Sequence, residues 1–172
     1  MKKIFFIFSL VFIFNSCDDG DIKLESFNFT GKAIKKCTDP GKQFLYKINN
    51  NELLLLNITS DLYTYDATYT EFPYTKTYPI DLTTTSVIYR LYSDTVSATS
   101  ICDVIAPATP VVTSEWKATG GTVSVTTTQK FDTDGITLLG YNHTIKLLNI
   151  NFASPSNSFS FEEYLFGDYS QL

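Results

Sequence analysis

The chain has 172 residues, of which 44% are hydrophobic and 18% are charged, and its formal net charge is -5. This length corresponds to one domain with an ordinary core. An acidic chain argues against nucleic acid as a partner, because phosphate binding needs clustered Lys and Arg. The basic cluster at residues 32–36 is typical of a solvated strand or loop edge.

The N-terminus carries a targeting signal. Lys2 and Lys3 precede an unbroken apolar run at residues 4–14. A helix that crosses a membrane needs about 20 apolar residues, so this run is too short to span and predicts a signal peptide over residues 1–16. Without that segment the chain keeps 11 of its 13 basic residues and all 18 acidic ones, a net charge of -7.

Cys17 follows Ser16 directly after the apolar run, and no alanine precedes Ala33 to supply a conventional cleavage site. The Ser16–Cys17 pair resembles the lipobox of bacterial lipoproteins, although Phe14 and Asn15 depart from its usual upstream residues. The resemblance implies cleavage before Cys17 and a diacylglycerol on its thiol, which anchors the protein to a membrane. The alternative is an ordinary secreted protein in which Cys17 is a small apolar residue or a disulfide partner.

Carboxylates follow the cysteine at Asp18, Asp19 and Asp21, within a tether over residues 17–23. They resemble the surface-export signal of Bacteroidota lipoproteins, which implies an outer-membrane protein that faces outward. In enteric bacteria Asp18 instead suggests retention at the inner membrane. Residues 115–152 also resemble a segment of uncharacterised flavobacterial lipoproteins, and that resemblance implies no activity.

With Cys17 lipidated, Cys37 and Cys102 remain as a pair in an oxidising compartment, where a disulfide is the expected state. The bridge would close a 65-residue loop and add on the order of 4 kcal/mol to stability. The alternative is two buried thiols. Because the sequence lacks C-x-x-C and H-x-x-x-H spacings, we predict neither a metal site nor a cofactor.

Residues 24–172 consist of short runs rich in β-branched and aromatic residues, separated by turn formers. This pattern predicts an all-β fold, an antiparallel β-sandwich of immunoglobulin-like or jelly-roll-like type in a single domain. Residues 43–59 read as a hairpin with a buried strand at 53–56. The sequence further predicts a tight turn at 120–121, a second turn at 132–135 and a bulge at Gly140.

A tyrosine-rich segment lies between the predicted hairpin and the next strand. Its candidate ligand-binding residues are Tyr63, Tyr65, Tyr69 and Tyr74. A row of tyrosines can stack on sugar rings, which makes a glycan platform the functional interpretation. The structural interpretation, half-buried aromatics favoured by β-propensity, is the commoner case.

The sequence contains few candidates for catalytic residues. His143 is the single histidine, and a lone strand histidine is more often structural. Glu162, Glu163 and Asp168 are candidate carboxylates, but glycosidases need two at a set separation, which a sequence does not reveal. We therefore predict no catalytic residue and a protein that is not an enzyme.

The segment 94–96, Asp-Thr-Val, resembles the O-glycosylation motif of Bacteroidota, and this implies a sugar on Thr95. Taken together, the sequence predicts a membrane-anchored lipoprotein of the cell envelope that acts as a non-enzymatic interaction or accessory module. Its partner would be an envelope protein or a polysaccharide. The alternative is a glycan-binding or glycan-active β-sandwich that uses the tyrosine-rich segment.

Overall fold

The computed structural model of the protein describes residues 27–37, 44–58 and 71–171. The predictions for the signal peptide, for Cys17 and for the tether lie outside these residues. Within them, eight strands and one five-residue helix form, and no helix has the length and hydropathy needed to cross a membrane. In chain order the elements are β1 (Lys35–Lys36), β2 (Leu45–Asn49), β3 (Glu52–Ile58), β4 (Tyr74–Pro79), β5 (Thr85–Tyr92), α1 (Ala98–Cys102), β6 (Val112–Phe131), β7 (Leu138–Ala153) and β8 (Ser158–Gln171).

Every strand pair is antiparallel, in the order β1-β2-β3-β5-β6-β7-β8, with β4 beside β6. The 20-residue strand β6 connects two layers, since its first part pairs with β5 and its later part with β4. We call β1, β2, β3 and β5 the first layer, and β4, β7, β8 and the later part of β6 the second layer. The prediction of an antiparallel all-β sandwich is thereby confirmed.

The main core lies between the two layers. It contains buried side chains from every strand except β1 and β4, together with Phe29, which precedes β1. Its aromatic members pack closely, and the Tyr89 and Trp116 rings stack at 5.2 Å. Burial of each such side chain contributes about 1.5–3 kcal/mol, so this interface is the principal source of stability.

The first layer also has a buried outer face. Leu53 and Leu55 of β3 point outward into a second cluster with Tyr92 and with Ile101 of α1. The alternate residues of β3 point into the main core. The prediction of a buried strand at 53–56 is confirmed, and so is the β2–β3 hairpin.

Cys37 and Cys102 form a disulfide at the edge of this second cluster, which confirms the predicted pairing. Their Cα atoms are 5.4 Å apart and 65 residues separate them along the chain. The bond joins the residue after β1 to the last residue of α1. It therefore fastens the helix over the outer face of the first layer.

The predicted tight turn at residues 120–121 is wrong, because β6 continues through both glycines. The register between β6 and β7 shifts there, so the glycines form an irregularity inside the strand. A Cβ atom on Gly121 would lie 2.8 Å from the Asn149 carbonyl oxygen. Gly121 thus allows the two strands to approach closely. The β6–β7 turn lies at 132–137, which agrees with the second predicted turn. Gly140 pairs beside a register shift, in agreement with the predicted bulge.

Candidate functional site

Tyr74 is the one predicted ligand-binding tyrosine that the structure describes, since Tyr63, Tyr65 and Tyr69 lie outside the described residues. It opens β4 and is half-buried. Its partner on the neighbouring strand is Thr127 of β6. Tyr74 consequently lies on the face of the second layer that points toward the core.

Four strands contribute to one row of side chains at this position. Tyr74 pairs with Thr127, Thr127 pairs with His143, and His143 pairs with Tyr169. Directly opposed residues of antiparallel strands project to the same face. The row therefore extends the inner face beyond the apolar core, with two buried polar residues flanked by two half-buried tyrosines.

Two further rings adjoin the row. Phe72 stacks on Tyr141 at a centroid distance of 5.5 Å and lies 5.3 Å from the Tyr74 ring. Tyr141 stands two residues before His143 on β7 and so shares its face. We define the His143 cluster as Phe72, Tyr74, Thr127, Tyr141, His143 and Tyr169.

The imidazole of His143 is 7% exposed, and its two nitrogens differ in their contacts. Nδ1 lies 2.9 Å from the Thr127 hydroxyl, whereas the buried Nε2 has no hydrogen-bond partner among the described residues. Burial lowers the pKa of His143 and raises the pKa of Tyr169, whose ring stacks 6.4 Å away. Both rings are therefore uncharged at neutral pH.

The cluster combines packed aromatic rings with one buried ring nitrogen that has no hydrogen-bond partner among the described residues. Binding sites typically combine apolar walls with a few such polar groups. Leaving a buried ring nitrogen unpaired costs about 1–3 kcal/mol, and a ligand could supply the missing partner. From the sequence we predicted a structural role for His143. The strand registers that bring it close to Tyr74 are not visible in the sequence.

The predicted carboxylates belong to β8 and face solvent. Glu163 pairs with Lys146 at 2.8 Å, and Asp168 accepts a hydrogen bond from the Thr144 hydroxyl at 2.6 Å. Glu162 is likewise exposed. Among the described residues, no group of three His, Cys, Asp or Glu side chains is placed to hold a metal ion.

Thr95, the predicted O-glycosylation residue, lies on an exposed loop between β5 and α1. Its backbone N–H donates to the Asp94 carboxylate at 2.6 Å. The next residue, Val96, is buried in the second cluster. In this motif the Val96 side chain is therefore buried, whereas Thr95 is accessible from solvent.

A groove of about 570 Å³ lies between the start of β6 and the turn after β7. Trp116 lines it, and its indole N–H donates to the Asn157 side-chain oxygen at 2.5 Å. Glu115, also in the lining, pairs with Arg90 and with Lys117. These polar groups are already engaged with one another, so the groove offers less unsatisfied hydrogen-bonding capacity than the His143 cluster.

Comparison with protein-family models, with curated proteins and with solved structures finds no match for this chain. The features of the molecule that bear on its function are the disulfide, the His143 cluster and the remaining buried polar groups.

Proposed function

We propose that this protein is an exported lipoprotein, anchored through Cys17, that acts as a non-enzymatic interaction module at the bacterial outer membrane. The observation that carries the proposal is the disulfide, which uses Cys37 and Cys102 and leaves Cys17 as the third cysteine. Disulfides persist in oxidising compartments, so the bond supports export. The odd cysteine is then available for acylation.

The anchor leaves room between the membrane and the fold. Nine residues lie between Cys17 and Phe27, where the described structure begins. Fully extended, that length spans about 35 Å. Two or three acyl chains give a lasting anchor, whereas one gives only marginal binding. In a Bacteroidota lineage, the acidic residues after Cys17 favour the outer surface and a partner there, an envelope protein or a polysaccharide.

Metabolic labelling with a fatty acid tests the anchor. Cys17→Ala should abolish incorporation, whereas the matched variant Cys102→Ala should keep it, because Cys102 serves the fold. Labelling that persists in Cys17→Ala would reject the assignment. Protease treatment of intact cells tests the orientation, and degradation is expected if the domain faces outward.

Glycan binding is a second candidate function, and the His143 cluster favours it. Tyr74 contributes an aromatic ring beside Phe72, and His143 contributes a buried Nε2 that has no hydrogen-bond partner among the described residues. These are the groups that sugar rings use, with their apolar faces and peripheral hydroxyls. The cluster thereby brings Tyr74, a predicted ligand-binding residue, close to His143 of β7.

Electrophoresis in gels that contain immobilised polysaccharides measures this binding. Losing one stacked ring removes about 0.5–1.5 kcal/mol, so Tyr74→Ala should weaken retardation about twofold to tenfold. Thr75→Ala is the matched control, because Thr75 is exposed on the opposite face of β4. Equal retardation of both variants would contradict a role for the cluster.

O-glycosylation of Thr95 is the third part of the proposal. The exposed position of Thr95 beside the buried Val96 supports it. Intact-mass analysis of the exported protein should show an added glycan that disappears in Thr95→Val. A mass equal to that of the acylated polypeptide alone would exclude the modification.

A further inference from the structure

Lys47 is a buried lysine in the middle of β2, with only 4% of its surface exposed. Its ammonium donates to the Phe166 carbonyl oxygen at 2.9 Å, and Nζ lies 6.0 Å from the Phe166 ring centroid. The contact spans the core from the first layer to the second. It joins β2, the second strand in the sheet order, to β8, the last one.

A β-bulge in β8 explains this contact. Gly167 pairs with Ile145 and Leu165 pairs with Lys146, so Phe166 has no residue opposite it on β7. The extra residue of a bulge is left out of the ladder, and its buried carbonyl needs another donor. Lys47 supplies that donor.

One carbonyl does not satisfy a lysine, because an ammonium group has three donors. None of the ion pairs among the described residues includes Lys47. A charged group buried without a counter-charge costs several kcal/mol, which is why burial lowers the pKa of Lys47. Glu52 on the adjacent strand differs, since Tyr89 and Asn49 donate to its two oxygens at 2.6 and 3.1 Å.

A pocket of about 350 Å³ opens at Lys47, between the chain before β1 and the bulged part of β8. Lys47 is the most buried of its lining residues, and Lys32 is an exposed lysine at the rim. The other lining residues are Thr30, Gly31, Ala33, Ile34, Leu165, Gly167 and Asp168. A pocket of this volume accommodates a group the size of a monosaccharide or a phosphate ester.

Gly167 keeps the approach to the amine open from the β8 side. Its φ of +132° falls in the region that favours glycine, and an added Cβ would lie 3.2 Å from Ile34 Cδ1. The same atom would lie 3.7 Å from Lys47 Nζ. A side chain at this position would therefore crowd Ile34 in the pocket wall and would be in contact with the ammonium group.

We propose that this pocket binds a small oxyanion, a carboxylate or phosphate group, with the Lys47 ammonium as its principal partner. An oxyanion would satisfy the remaining donors and compensate the buried charge, and charge-assisted bonds of this kind are the stronger ones. Lys32 adds a second positive charge at the rim. Asp168 is the opposing charge there, although the Thr144 hydroxyl donates to its carboxylate. The site shares no residue with the His143 cluster and does not depend on the lipid anchor.

Calorimetric titration of the detergent-solubilised, full-length protein tests the site with three probes: inorganic phosphate, glucuronate and glucose. We expect saturable binding of an anion and none of glucose. The phosphate and glucuronate titrations separate the two possible sources of the oxyanion. Equal affinity for glucuronate and glucose, or saturation by neither anion, would overturn the proposal.

Three variants assign the binding to this pocket. Lys47→Met keeps the length of the side chain and removes the charge, so anion affinity should fall more than tenfold. Lys32→Met should weaken binding severalfold and Asp168→Asn should strengthen it, because the two changes alter the rim charge in opposite directions.

Both rim variants leave the core untouched, so they test the site even if Lys47→Met fails to fold. Circular dichroism of each variant checks folding. Unchanged affinity in a folded Lys47→Met protein, or effects of the same sign in Lys32→Met and Asp168→Asn, would overturn the assignment.

Discussion

The strands of the first layer are short, with 5 and 7 residues in β2 and β3, whereas β7 and β8 of the second layer have 16 and 14. The central strand β3 of the first layer is buried on both faces, and the disulfide fastens α1 over the outer face. The second layer buries its inner face, and its outer face is largely polar and solvated. Short strands make few ladder hydrogen bonds, so the first layer depends on the main core, the second cluster and the disulfide for its stability. The long ladders of the second layer allow it to place polar side chains on its inner face.

Removal of the disulfide should have the largest effect and should act on the first layer. Cys37→Ser combined with Cys102→Ser is expected to lower the free energy of unfolding by about 4 kcal/mol, from the entropy of a 65-residue loop. Urea denaturation measures the loss. Hydrogen exchange should accelerate in β2 and β3 more than in β6 and β7. Equal acceleration in both layers would contradict the dependence that we assign to the first.

The buried Glu52 offers the next test of that layer. Tyr89→Phe removes the hydroxyl that donates to Glu52 and should cost about 1–3 kcal/mol in the free energy of unfolding. Tyr46→Phe is the control, since Tyr46 lies on the outer face and makes no side-chain hydrogen bond among the described residues. Similar losses for the two variants in urea denaturation would show that the hydroxyl of Tyr89 has no special role.

His143 makes the second layer sensitive to pH. Burial lowers its pKa in the folded state, so below about pH 6.5 the unfolded chain binds a proton that the folded chain does not. Stability should fall as the pH drops from 6.5 toward the lowered pKa, by at most about 1.4 kcal/mol per pH unit. Urea denaturation between pH 7.5 and 5 measures the slope. His143→Gln should flatten it, and an equal slope in that variant would assign the effect to other groups.

The smallest effect is expected at the junction of the two layers. Arg90 of β5 bonds Glu115 of β6 at 2.6 Å, with side chains 31% and 29% exposed. Such a pair contributes about 0.2–1 kcal/mol, so Glu115→Gln should destabilise by that amount. Glu163→Gln is the matched comparison, because its bridge to Lys146 is more exposed. Thermal unfolding should rank Glu115→Gln as the more harmful change.

Much of the fold could be predicted because local chemistry encodes it. The apolar run at 53–56, the turn cluster before it and the two cysteines each correspond to a feature of the structure. The paired glycines at 120–121 misled prediction, since glycine serves turns and bulges equally well. The choice between them depends on how closely β6 approaches β7, and that distance is a tertiary property.

The candidate sites were less accessible to prediction. Alternation along β2 places Lys47 on the same face as the buried Leu45, which is a weak signal of an inward lysine. Its partner is a carbonyl 119 residues away, exposed by a bulge that has no sequence motif. Tyr74 and His143 likewise meet only through the registers of two strand pairs.

The bulge at Phe166 also affects how copies of the protein meet. β8 is the last strand in the sheet order, and a regular terminal strand can pair with the edge of another molecule. Pairing with another molecule is hindered by the irregular backbone at 166–167 and by the charges of Glu162, Glu163 and Asp168. This irregular edge would discourage sheet-to-sheet aggregation between copies of the protein.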